Sequence, residues 1–368
     1  MMDYLLAESG IDRIKHAINV ICEPAPFFVL SCVALGVFLI GYRFWTKPVV
    51  AAIFGGGAVL FYALSALDPN FFLIIAKPDN VPISIMMLLV GFFTWLAFRQ
   101  AAINDERLEK GEPLLEAGAD DKVLVWPDLV YTEFIALILC TAFLIVWAIY
   151  LRAPLEQPAD PSVAPNPAKA PWYFLGLQEL LVYFDPWIAG VLLPGLIILG
   201  LVALPYIDKN PRGNGYYTFK ERWFVITTYM FGWVVLWVVL IVFGTFLRGP
   251  NWIFFGPYEF WDAHKLAALL NIQFRDIFWI KALGRGLPGH WLVREAPGLA
   301  FIGFWFTGLP FLLAWTVMRK IYRQIGFIRY VIAVQLLLWM FLVPLKMAFR
   351  WTINLQYFVA ITEFFFNI

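Results

Sequence analysis

Charge is what this chain has least of. Only 14% of its 368 residues are Asp, Glu, Lys or Arg, against roughly a quarter in an ordinary soluble domain. The 27 basic and 26 acidic residues leave a formal +1, so no net field draws in nucleic acid. Cysteine is scarce too: Cys22, Cys32 and Cys140 are scattered and form no CxxC or CxxCH. That excludes a disulfide scaffold and covalent c-type haem attachment. Histidine is equally rare, with only His16, His264 and His290. No metal-ligand box can be assembled from so few.

Apolar surface is abundant. Sixty-two per cent of the chain is hydrophobic, and mean hydropathy is +0.75. No globular core of this size could hide that much from water. The 36 Phe, 17 Trp and 15 Tyr also rule out a disordered chain. The fold class expected is an all-α polytopic membrane protein. It should have about eight transmembrane helices plus a re-entrant or interfacial helix.

A bilayer core about 30 Å thick needs roughly 20 apolar residues per helix. Eight stretches meet this: Ala25–Tyr42, Val49–Leu67, Val81–Phe98, Leu129–Leu151, Trp187–Tyr206, Trp223–Leu247, Leu299–Met318 and Tyr330–Met347. Pro344 is expected to interrupt the last. The tail Trp351–Ile368 is apolar without reading as a ninth helix. Acidic residues outnumber basic ones in the first 24, with no short apolar core or small-residue cleavage site. A cleavable leader is therefore not expected.

Lys and Arg concentrate in the connections after spans one, three, five and seven: Arg43 and Lys47; Arg99, Arg107, Lys110 and Lys122; Lys209, Arg212, Lys220 and Arg222; Arg319, Lys320, Arg323 and Arg329. That side is expected to be cytoplasmic, the negative side, with both termini on the positive side. Two long positive-side connections stand out. Arg152–Pro186 is proline-rich and ends in Trp172–Phe184, apolar but too short to cross. Arg248–Ala296 mixes aromatic with charged residues and reads as an amphipathic lid at the interface. Asp105–Lys122 is the strongly hydrophilic run, expected to be a solvated linker. The division expected is a three-span front part (1–104), that linker (105–122), a middle part (123–250) and a two-span end part (251–368).

The middle part carries specific marks. Trp126-Pro127-Asp128 is followed by a span, the loop Pro158-Ala159-Asp160-Pro161, then Trp172-Tyr173-Phe174. Pro205 with Ile207-Asp208 ends the next span. This ordered set resembles the carboxy-terminal part of cytochrome b, the separate subunit IV of b6f complexes. The resemblance implies part of a quinol oxidation site on the positive side, where the family's re-entrant helix starts with Pro-Glu-Trp-Tyr. There quinol gives one electron to a Rieske iron–sulfur cluster and one to a b haem. A quinol losing two electrons also loses two protons, so an ionisable acceptor must lie near its hydroxyls. Aromatic walls suit its flat ring.

This chain departs from the motif. Pro171 stands where the family has Glu, and Ala170 where it has Pro. Glu179 lies seven residues beyond Trp172, two helical turns and so on the same face. The stripe reads Trp172, Gly176, Glu179, Tyr183. The expectation is that Glu179 replaces the lost carboxylate as proton acceptor and Tyr173 supplies a hydrogen bond. Pro171, Trp172, Phe174, Gly176 and Tyr183 would wall the site, with Gly176 leaving space. The competing reading makes Glu179 an interfacial carboxylate facing water or a partner arginine.

Axial haem ligation needs paired histidines on facing helices, and no histidine here falls within a span. The b haems and the Rieske [2Fe-2S] cluster are therefore expected on partners: a four-histidine cytochrome b, a Rieske protein and c-type cytochromes. The remaining cofactor is the quinol/quinone itself, menaquinone among the kinds the pocket would suit. Alone, the chain should be inactive. The setting implied is a bacterial inner membrane.

Asp128 and Glu133, at the negative-side start of span four, are candidates for proton uptake; helix capping by Asp128 is the alternative. His264 and His290 either contact a partner's cofactor or are ordinary interface residues. Gly55-Gly56-Gly57 suits close helix packing. Phe92, Phe93 and Phe364–Phe366 read as lipid- or partner-facing. Two other functions compete: a quinone-binding anchor for another respiratory oxidoreductase, and a transporter. The nearly uncharged mid-span regions and the lack of half-to-half symmetry speak against the transporter.

Overall fold

The computed structural model describes residues 10–118, 122–151, 158, 160–162, 167–212 and 218–368. Residues 1–9, Ala159, Arg152 at the head of the proline-rich connection, and part of the hydrophilic run lie outside these. Among the described residues seven helices are long and apolar enough to cross a membrane: Pro48–Ser65, Asn80–Glu109, Val125–Tyr150, Ile188–Ile207, Phe219–Leu247, Ala296–Trp315 and Phe327–Ile353. The first expected span is Pro24–Ile40, 17 residues long, reached from Gly10–Ile21 through an 80° bend. Pro24 and Pro48 begin their helices, where a missing N–H costs nothing and φ is already helical. The chain is an all-α polytopic membrane protein.

Two elements differ from expectation. Phe327–Ile353 runs unbroken through Pro344, as transmembrane helices allow when neighbours re-satisfy the freed carbonyl. Asn80–Glu109 continues well past Phe98, so the hydrophilic run does not begin as a solvated linker. Asp105 is buried; it accepts from the Tyr42 hydroxyl at 2.7 Å and from the Lys220 backbone N–H. Arg43 makes two 2.9 Å hydrogen bonds to Glu109, which Lys220 also pairs. Like partners from three connections are what draw these carboxylates onto the bundle.

The connections sort to two ends, as alternating spans require. Those carrying Arg43, Glu109, Lys220 and Arg329 meet at one end, where Arg329 also donates to the Tyr206 carbonyl at 2.9 Å. At the other end the helix Gly10–Ile21 reaches the 66–79 connection through Lys15–Asp68 (2.6 Å). It reaches the 248–295 connection through Asn19, whose side-chain oxygen accepts from Tyr258 N–H at 3.0 Å. The short helix, the long connection and the tail join it there, making a cap.

Phe219–Leu247 is the central helix, with half of its apolar window buried. It packs with Phe28, Leu35 and Leu39 of the first span, Ile188 and Leu193 of the fifth, and Leu342 and Met347 of the last. A second cluster, Ala314, Met318, Tyr330, Val334 and Leu338, joins the last two spans. Val125–Tyr150 buries none of its window and Pro48–Ser65 only 6%. Such faces suit lipid or other chains.

The tail is the largest surprise. Asn354 turns left-handed (φ 55°) and Leu355–Tyr357 then pairs in parallel with Ile272–Gln273. Phe358, Val359 and Ala360 are buried. Arg275 and the Ala360 N–H both bond the buried carboxylate of Glu295. Gly298 lets the tail pass: a Cβ there would lie 1.9 Å from the Phe358 carbonyl oxygen. Gly298→Ala should therefore lower stability by roughly 1–3 kcal/mol, an overpacking cost. An unchanged thermal midpoint in detergent would refute this packing.

Candidate functional site

Trp172–Phe174 forms one tight helical turn, and Leu175–Leu180 continues it as a short α-helix. Pro171 precedes the turn with an extended ψ of 147°, starting the helix where its absent N–H is not needed. Gln178 fastens the incoming chain: its side chain accepts from Ala170 N–H and donates to the Ala168 carbonyl, both at 2.8 Å. Trp172, Tyr173 and Phe174 stand 39–49% exposed in a row. Edge-to-face and tilted contacts at 5.6 and 4.6 Å join their rings.

The other face of the short helix is buried against the end of the central span. Gly244 permits this approach, since a Cβ there would sit 3.1 Å from the Leu175 carbonyl. Gly176 does not leave open space: a Cβ there would rest in ordinary contact with the Trp237 carbonyl at 3.5 Å and Ile241 at 3.6 Å. Glu179 and Tyr183 lie on that buried face, while Trp172 is exposed. The tighter first turn rotates Trp172 out of the stripe that ideal helical spacing predicted.

Glu179 is fully buried and meets Arg248 in a two-pronged pair. Arg248 Nε donates to Oε2 at 2.9 Å and Nη2 to Oε1 at 2.6 Å. The Tyr183 hydroxyl lies 3.4 Å from Oε1. Burial, with the neighbouring Glu179 carboxylate, pushes the Tyr183 phenol up, so it stays protonated and donates. Arg248 also donates to the Trp252 carbonyl at 3.1 Å. It therefore ties the short helix to the first turn of the long connection. A buried carboxylate demands a cation, and that rule was the signal for Arg248, which sequence reading treated only as the end of a span.

Lys169, also missed, sits just before the aromatic turn. Its amine donates to the Thr245 carbonyl at 2.7 Å and lies 4.9 Å from the Trp261 ring centre. The helix is widened over Phe243–Leu247, a local irregularity of the kind that recurs at functional sites. Burial pushes the Lys169 amine down to about 7, helped by repulsion from Lys77.

Asp128 and Glu133 are exposed near the start of a span that buries none of its apolar window. They are not brought near the short helix, and Asp128 makes no side-chain cap in the turn that holds it. His16, His264 and His290 are all exposed. His290 accepts from Leu292 N–H as a helix cap. The long connection is a largely irregular, folded segment broken by short helical turns, with Phe255 buried.

Residues 158–259 match the family model described as cytochrome b (C-terminal)/b6/petD. That stretch holds the short helix, Glu179 and Arg248, and leaves Trp126-Pro127-Asp128 outside. The cytochrome b of Acanthamoeba castellanii is 24% identical over 229 residues, covering 59% of this chain and 54% of that protein. The chain thus spans about half the length of this relative. No solved structure matches it.

Proposed function

We propose that this chain, with its cytochrome b C-terminal-type segment, is a membrane subunit of a bc-type quinol oxidoreductase. It would supply part of the quinol oxidation site at the cap end of the bundle, taken as the positive side of a bacterial inner membrane. The observation that carries the reading is the exposed Trp172–Phe174 turn, borne by a short helix whose other face is locked into the core. A flat quinol ring can rest on presented aromatic edges, and Pro171 and Gln178 hold that turn rigid. Tyr173 offers the exposed hydroxyl for a substrate oxygen. Glu179 receives the substrate proton when Arg248 Nη2 gives up its hold on Oε1, and Tyr183 remains as donor to the pair.

Haem b and a Rieske cluster on partner subunits would take the two electrons. The three histidines of this chain fit no axial pair, since each is exposed and none lies in a span. A four-histidine cytochrome b, a Rieske protein and c-type cytochromes are therefore the partners inferred, and unburied spans such as Val125–Tyr150 are available to them. Gentle detergent purification of the chain should bring down these subunits with dithionite-reduced b-haem bands. A chain that came alone and haem-free, or with a molybdenum or transport partner, would sink the reading.

Asp128 and Glu133 are assigned to proton uptake on the negative side. An Asp128→Asn, Glu133→Gln double variant should then slow quinone reduction there. Normal proton uptake in that variant removes both residues from the mechanism.

A further inference from the structure

The cap holds a cavity of about 190 Å³, walled by the 66–79 connection, Lys169 and residues 259–261. That is room for about six waters. Two lysines, Lys77 and Lys169, line it together with Asn70, Asn80 and Trp261. Among the described residues no carboxylate pairs with Lys169. Glu179 is taken by Arg248, and Glu259, also in the wall, by Lys265 at 3.3 Å. Asp79 lies 3.6 Å from Lys77.

The Lys169 amine thus faces the cavity region with one carbonyl, one ring and a second lysine for company. Each lysine disfavours the charge of the other, and an anion between them would reverse that. Asn70 and Asn80 each donate one amide hydrogen bond to a carbonyl, Tyr258 and Ile74 respectively. Each side-chain amide has a second N–H to offer. A tetrahedral group rich in acceptor oxygens matches two ammonium groups and two amides better than a planar carboxylate does.

We propose that this cavity binds a phosphate-bearing anion, held between Lys77 and Lys169. Leu73, Ile74 and the largely exposed Phe260 in the same wall would lie along an acyl or glycerol moiety, so the phosphodiester of an anionic lipid is one source and free phosphate the other. The site stands apart from the quinol reading and does not depend on it.

The test uses the full chain as purified from the membrane, stripped of lipid by detergent exchange. Phosphatidylglycerol vesicles, phosphatidylcholine vesicles and inorganic phosphate are each added back, and retained phospholipid and thermal midpoint are followed. Wild type should retain phosphatidylglycerol and gain stability from it, and Lys77→Met should need about tenfold more for the same effect, having lost a charge-assisted contact. Lys77 is partly exposed and outside the core, so this variant folds. Lys169→Arg should keep the response and Lys169→Met lose it. A response to inorganic phosphate alone, lost in the same variants, makes the free anion the ligand. Equal responses of wild type and Lys77→Met, or phosphatidylcholine acting as well as phosphatidylglycerol, overturn the proposal.

Discussion

Arg248→Met should destabilise the folded chain by roughly 3–5 kcal/mol, because it strands a buried carboxylate without its cation. The loss is large for three reasons on the structure. Glu179 is fully buried, both its oxygens are engaged by Arg248, and its further partner, the Tyr183 hydroxyl, carries no charge to replace the guanidinium. Arg248 also bonds the Trp252 carbonyl, so its removal loosens the first turn of the long connection as well. Replacing both partners, Glu179→Leu with Arg248→Met, should recover most of the loss, since a packed apolar pair needs no compensating charge. Thermal unfolding of both variants in the same detergent measures this. If the double variant were as unstable as the single one, the pair would be contributing packing and not charge compensation.

Glu179→Gln should slow quinol oxidation about a hundredfold or more, the usual contribution of a positioned proton acceptor. A glutamine keeps the shape and can accept from Arg248 with its one oxygen, but it leaves that buried guanidinium without a counter-charge, so stability falls as well. Activity is then the quantity that separates the two roles of the residue. A proton acceptor leaves its mark on the pH profile of turnover, and that profile should change in the variant. Turnover and pH dependence both unchanged would leave Glu179 as an anchor alone. Tyr173 and the aromatic turn would then have to orient a substrate that loses its proton elsewhere.

The two variants also distinguish failure of the fold from failure of the chemistry. Both variants cost stability, since each leaves one buried charge uncompensated; a changed pH profile of turnover is what marks Glu179→Gln apart. Weak binding of partners in either variant would appear in the b-haem bands before any rate was measured.

Much of the architecture was legible in the residues. Spans of roughly 20 apolar residues are imposed by bilayer thickness, so among the described residues seven of the eight expected stretches appear as helices long and apolar enough to cross. The short aromatic segment could not cross, and it folds as a short helix on the bundle. The proline that precedes Trp172 and the glycines of the central span act locally, through φ and missing Cβ atoms.

Other features were set at longer range. The helix spacing that put Trp172 on the face of Glu179 assumed an ideal helix, and the tight first turn moved it out. The middle of the tail, Phe358 to Ile361, is apolar because it is buried in the cap beside Gly298, while Phe364 and Phe365 stay exposed. Hydropathy has no term for which surface an apolar residue will meet. Arg248 stands 69 positions from Glu179, and Lys169 stands 76 from the Thr245 carbonyl it holds.

The sequence by itself therefore determined the membrane class, the approximate places of the long spans and the place of the aromatic turn. These follow from composition, segment length and neighbouring residues. Only the tertiary structure decided that Glu179 is paired, that Lys169 is not, and that the tail closes the cap. Ion pairs and burial depend on which distant segments share an end of the bundle, and that is settled by packing.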